Sequence, residues 1–91
     1  MSNWKRGFIE ILGEILEELK ENSLKKSHIA YKCNLDARSV NKYLKIIMSL
    51  NLVEKSKDLK HYIITQKGIK FLDQYRALTN LLEWNLRIEL N

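Results

Sequence analysis

The sequence is poor in the groups that enzymes and metal sites need. It holds one cysteine, Cys33, so no disulfide can close within the chain, which fits a reducing interior. Its two histidines, His28 and His61, stand far apart, and with one thiol they make no metal-ligating set. There is no Gly-rich phosphate loop, no carboxylate pair in a pocket pattern and no nucleophile placed beside a base. An enzyme is therefore not expected, and Cys33 reads as a packing residue. No apolar run approaches the roughly 20 residues of a membrane span, so no membrane partner is expected. The opening MSNWKRGFIEILGEILEEL starts basic but then takes on four glutamates. It is expected to be a helix of the fold and not a targeting segment. No sensor domain stands apart from the rest, so neither a cofactor nor a small-molecule ligand is expected.

What is present is one small charged domain. A chain of 91 residues builds a single core that is adequate without being generous, so burial against a partner subunit would be useful. The net charge is +5, and its placement matters more than its size. Up to Leu19, Lys5 and Arg6 face four glutamates. From Lys20 to Lys67, eleven basic residues face only Glu21, Asp36, Glu54 and Asp58. From Gly68 onward the signs balance. A local field of that sign attracts polyanions. Lysines also merely solvate many small domains, so charge alone decides little.

The chain is organised around Ser27–Leu52, which reads as two helices joined by a short turn. Before it, Trp4, Phe8, Ile11, Ile15 and Leu19 recur at helical spacing, broadened by Ile9, Leu12 and Leu16. Ser2 or Asn3 is expected to cap this first helix, and its glutamate face is expected in solvent. Gly7 and Gly13, if interior, each weaken it by roughly 1 kcal/mol. Leu24 suits a very short strand. The second helix is expected over Lys26–Cys33, with Asn34 ending it and Leu35 anchoring the turn. Asp36 is an N-cap for a third helix over Ala37–Leu50, with Val40, Leu44, Ile47 and Leu50 inward. Tyr31 and Tyr43 read as core-edge packing. Then come two strands, LVEKS and HYIIT, whose connecting tip lacks an Asn-Gly or Asp-Gly pair, so its turn type stays open. Thr65 is expected to cap a last helix over Gln66–Leu90.

Three helices, a hairpin and a long helix give a mainly α fold with a small β-hairpin, the order of a winged helix-turn-helix domain followed by a long C-terminal helix. Residues 1–65 form the winged helix, and residues 66–91 a long helix continuous with it. The third helix is then a recognition helix. Its front carries Arg38, Ser39, Asn41, Lys42 and Lys45. Arg can pair with guanine and Asn with adenine in the major groove, while Lys45, further along, suits phosphate. Lys25, Lys26, Ser27 and His28 stand where the second helix begins and are expected on the DNA backbone. Lys55, Lys57, Lys60 and His61 on the wing are expected at flanking phosphates or the minor groove. Each has a plainer alternative: Arg38 pairing with Asp36 or Glu54, and wing lysines as solubilising edge charges.

The stretch from His28 to Tyr75 resembles archaeal winged-helix proteins that dimerise through a C-terminal coiled coil, some of them small basic chromatin-associated proteins and others regulators. The resemblance rests on Leu35 and Asp36, on Tyr43, Leu44 and Leu50, and on Leu52-Val53-Glu54-Lys55. Its most telling segment is Tyr62-Ile63-Ile64-Thr65-Gln66-Lys67-Gly68 with Phe71-Leu72. In that family this strand–Thr–x–Lys–Gly junction joins the wing to the dimerisation helix. Asn51 departs from the glycine common in related domains, though Asn also tolerates a positive φ.

The last helix spans roughly 37 Å at 1.5 Å per residue, more than so small a domain can cover. Phe71, Tyr75, Leu78 and Leu82 keep heptad spacing, and Leu72, Leu81, Trp84, Leu86, Ile88 and Leu90 put apolar groups on several sides. The tail is expected to pair with that of a second subunit through Tyr75, Leu78, Leu81, Leu82, Trp84, Leu86 and Ile88. The alternative is that it folds back on the first helix. The resulting expectation is a homodimeric, sequence-preferring double-stranded DNA-binding protein, a transcription regulator. It would be cytoplasmic and nucleoid-associated. The alternatives are a non-specific architectural chromatin protein and a protein-interaction module.

Overall fold

The computed structural model describes residues 7–90, with the side chains of residues 7–82. The elements run α1 (Phe8–Glu21), α2 (Lys26–Lys32), α3 (Ala37–Ser49), β1 (Val53–Lys55), β2 (Tyr62–Ile64) and α4 (Gln66–Leu90). Mainly helical with one two-stranded hairpin, this is the class the sequence pattern predicts.

The apolar periodicity of α1 buries Ile11, Leu12, Ile15, Leu16 and Leu19 along one stripe. The expected cap at Ser2 or Asn3, and Trp4, lie outside the described residues. Gly7 is not interior; it precedes the first turn, and its N–H donates to Glu10 Oε1 at 3.0 Å. Ile9 and Phe8 are exposed, against expectation. Phe8 instead lies against the Tyr43 ring of α3, with centroids 5.6 Å apart. Gly13 is interior and buried because α4 crosses there: a Cβ would fall within the Tyr75 ring. Nor is the glutamate face all solvent. Glu17 forms a forked ion pair with Arg76 of α4, and Glu18 lies 3.9 Å from Lys32 of α2. The Arg76 guanidinium holds the Glu17 carboxyl below its ordinary range.

Helix α2 is short and buries Ile29, with Cys33 closing it deep in the core. Asn34 takes a left-handed φ of 55°, and Leu35 N–H returns to Ala30 O at 2.8 Å. Tyr31, expected at the core edge, is 86% exposed. Asp36 caps α3 as expected: its Oδ1 accepts from Ser39 N–H at 2.7 Å, which lowers its pKa. Val40, Leu44 and Ile47 face inward, but Leu50 does not; the helix ends at Ser49 and Leu50 is 42% exposed. Asn51 then adopts φ 63°, so Asn serves where related domains have Gly.

The strands pair antiparallel, with Val53 opposite Ile64 and Lys55 opposite Tyr62. Leu24 adds an isolated bridge to Tyr62, the one-residue strand its sequence setting suggested. The junction into α4 is densely tied. Thr65 Oγ1 accepts from Gly68 N–H at 3.0 Å and donates to Asn51 O at 2.7 Å, while Thr65 N–H donates to Leu52 O at 3.0 Å. Lys67 Nζ donates to Leu50 O at 2.9 Å, closing the end of α3. Gly68 lies against the Leu52 carbonyl so closely that any Cβ would overlap it. Leu72 completes the core, α4 continues to Leu90, and the molecule has extents of 50 × 28 × 21 Å.

Candidate nucleic-acid interface

Three separate elements present the candidate cationic side chains. The start of α2 presents Lys25, Lys26, Ser27 and His28, all exposed. The front of α3 presents Arg38, Asn41, Lys42 and Lys45, also exposed, with Ser39 half-buried and its backbone N–H engaged by the Asp36 cap. The hairpin presents Lys55, Lys57 and Lys60 in solvent, with His61 half-buried. The core behind α3 fixes which way these side chains point: with Val40, Leu44 and Ile47 inward, helical geometry leaves Arg38, Asn41, Lys42 and Lys45 outward.

Two of these residues touch. Lys26 Nζ donates to Asn41 Oδ1 at 2.8 Å, linking α2 to α3. An ammonium has only donors, so the amide oxygen of Asn41 is turned to α2 and its NH2 is the group left for other partners. Between α3 and the hairpin runs a cleft of about 440 Å³ lined by Asn41, Leu44, Lys45, Met48, Lys55 and Tyr62. Its floor is apolar, and lysines stand on both walls. The Lys55 ammonium lies 5.6 Å from the Tyr62 ring centroid, so that wall is held by a cation–π contact. Lys42 sits 6.0 Å from the Tyr43 ring.

The hairpin tip, Ser56–His61, is built by short-range polar contacts. Asp58 Oδ1 accepts from the Ser56 hydroxyl and from Lys60 N–H, the latter at 2.8 Å. Ser56 N–H donates to His61 O at 2.9 Å, and Leu59 N–H to Ser56 O at 2.9 Å. The His61 ring lies 3.2 Å from Asp58 Oδ2. The Ser56 hydroxyl, then the Lys60 amide and His61, pull the Asp58 pKa down to about 2. Among the described residues no group of His, Cys, Asp and Glu is arranged to hold a metal ion, and no helix is long and apolar enough to cross a membrane.

A helix pair with a hairpin beside its second member defines a particular domain type, and a family model described as winged helix-turn-helix matches residues 5–83. The chain belongs to the winged helix-turn-helix family. An uncharacterised protein of the archaeon Methanocaldococcus jannaschii is 34% identical over 80 residues, spanning 88% of this chain and 77% of the relative. Sso10a-2, a DNA-binding protein from Sulfolobus solfataricus, superposes with a TM-score of 0.78 at 22% identity, over 92% of this chain and 90% of that one. A PadR family transcription regulator from Clostridium difficile gives 0.77 at 22% identity, over 93% and 100%. The archaeal winged-helix resemblance carried by the Thr65–Gly68 junction is thus borne out, and the fold is one that DNA-binding transcription regulators use.

In winged-helix terms α3 is the recognition helix and β1–β2 the wing. Of the residues expected at a dimer interface, Tyr75 lies over Gly13 within its own chain, and burial raises its pKa. Leu78, Leu81 and Leu82 are 53%, 58% and 52% exposed. The side chains of Trp84, Leu86 and Ile88 lie outside the described residues. The wing-tip leucine, Leu59, and the Lys26–Asn41 link escape sequence reading. Leu59 sits in no turn signature, and the link joins residues fifteen apart through the docking of two helices.

Proposed function

We propose that this chain is a homodimeric, sequence-preferring double-stranded DNA-binding protein that acts as a transcription regulator on intracellular DNA. The observation that carries this reading is the apolar-floored cleft between α3 and the wing, walled by Lys45 and Lys55 and continued to α2 by the Lys26–Asn41 bond. The recognition helix enters the major groove, with Arg38, Ser39, Asn41 and Lys42 at base edges. Lys45 and Lys55, on the two walls of the cleft, neutralise the phosphates of a strand that runs along it. Lys25, Lys26, Ser27 and His28 clamp the backbone on the far side, and Lys57, Lys60 and His61 the flank. With its oxygen held by Lys26, Asn41 offers an NH2, which suits the acceptor edges of guanine or thymine rather than the mixed edge of adenine. Two named structural neighbours, a DNA-binding protein and a transcription regulator, agree with this reading.

The dimer half of the reading rests on the exposed row Leu78, Leu81 and Leu82 on a helix that runs past its own domain. Trp84, Leu86 and Ile88 extend that row in sequence. Three exposed leucines on one projecting helix make an apolar patch that a second copy covers at low cost.

A fluorescence anisotropy titration on random and selected duplexes tests the reading. With about six phosphate contacts, affinity falls about 10³-fold between 50 and 200 mM salt. Selected duplexes bind more tightly than random ones. Absence of binding at micromolar protein, or affinity that ignores salt, overturns the reading. Equal affinity for all sequences leaves an architectural protein in place of a regulator.

A further inference from the structure

The residue at the tip of the wing is an exposed leucine. Leu59 is 70% exposed and has φ 61°, the left-handed region that a leucine rarely enters. The other two positive-φ residues described, Asn34 and Asn51, are asparagines, the type that tolerates this conformation. Among the described residues, only the wing tip has an apolar side chain in that position. Nothing in the fold calls for one, since most of the side chain meets water rather than a neighbour. A strained backbone that presents an apolar group to solvent points to something outside the chain.

The setting of Leu59 is rigid and cationic. Its own N–H is held by Ser56 O, and the residues around it by the Ser56, Asp58 and His61 network. Lys57 and Lys60, both exposed, flank it two residues before and one after. An apolar point on a stiff, positively charged mount suits a polyanion with an apolar interior. In a DNA duplex, phosphates line the groove and stacked bases lie within it. Apolar side chains, leucine among them, enter the minor groove as wedges between base steps and kink the duplex.

We propose that Leu59 is such a wedge. Resting on the DNA-binding reading above, it assigns the wing a second task beyond phosphate contact. With α3 in the major groove, the wing tip reaches the adjacent minor groove, where Lys57 and Lys60 neutralise phosphates and Leu59 partly unstacks one step. Bending then favours sites with a flexible pyrimidine–purine step under the wing, a preference made without hydrogen bonds.

The test measures the bend angle of an end-labelled duplex by energy transfer, with the full chain bound. The wild type bends the duplex. Leu59→Asn, which keeps the turn and relieves its strain, lowers the bend by roughly half or more. Leu59→Met, still apolar, retains it. The melting temperature of Leu59→Asn is unchanged or higher, which separates a lost wedge from a collapsed tip. A duplex with a mismatch under the wing binds the wild type more tightly than a matched one, and Leu59→Asn loses that advantage. An equal bend in wild type and Leu59→Asn overturns the proposal and hands Leu59 to a protein contact. A bend lost together with a lower melting temperature also overturns it. Binding without any bend overturns this proposal alone, whereas absence of binding overturns the DNA-binding reading as well.

Discussion

Asn41 and Lys26 show how one hydrogen bond changes what a side chain can read. Replacing Lys26 with Met removes the donor and frees the Asn41 carbonyl. In the proposed complex, preference at one base pair then shifts toward adenine, while Lys26→Arg leaves it unchanged; binding selections on the three proteins report it. Arg38→Ala relaxes preference at its own position at a cost of about 1–3 kcal/mol on the best site. Lys57→Ala weakens all sequences alike and lowers the salt slope by about 1, measured by titration at several salt concentrations. Gly68 supplies a stability counterpart. A methyl group there meets the Leu52 carbonyl, which is backbone and cannot swing away. Gly68→Ala is expected to cost about 3 kcal/mol in urea unfolding, despite the better helix propensity of alanine.

Among the elements, the wing tip is held by the carboxylate whose pKa is lowered furthest. The Asp58 pKa lies near 2 in the folded protein, against 3.8 ordinarily. A depressed carboxylate pKa contributes order that is complete above the ordinary value and is lost as pH falls through the lower one. Amide exchange at Leu59 and Lys60 is therefore expected to lose protection as pH falls from about 4 to 2, once intrinsic exchange rates are allowed for. Asp58→Asn removes that acid step and loosens the tip at neutral pH. The elements themselves were legible in sequence where one physical signal dominated. Period-3.6 stripes mark α1 and α3, Asp36 and Thr65 mark caps, and Asn34 and Asn51 mark left-handed turns. Leu50 was misread because the stripe continues one residue past the end of the helix, where Asn51 reverses the chain. Tyr31 is exposed because it stands two residues from the buried Ile29, about 200° around the helix and so on its opposite face. The cationic surface was legible from charge placement. The α3–wing cleft and the contacts within it were not, since they depend on how elements far apart in sequence dock.

For the whole molecule, the proposed dimer makes a direct prediction. Truncation after Leu78 removes Leu81, Leu82 and the tail beyond while leaving the core through Leu72 intact. Light scattering is expected to show a folded monomer, and duplex affinity is expected to fall about 10²-fold or more through lost avidity. A truncated chain that stays dimeric removes the tail as the main interface. The junction at Thr65–Gly68 bears on how such a dimer meets DNA. Asn51, Leu52 and Leu50 at the end of the recognition helix are bonded to Thr65 and Lys67, and Gly68 is wedged against Leu52. The end of α3 and the start of α4 are therefore tied at one joint. In the proposed dimer such a joint would make the assembly a fixed caliper, its two jaws keeping one separation and one angular phase. Five base pairs added between half-sites rotate one of them by about half a helical turn, and the jaws cannot follow. In that proposed dimer any adjustment of register would come from the twist and flexibility of the spacer DNA, so the base pairs that no side chain touches would set how well a site is held.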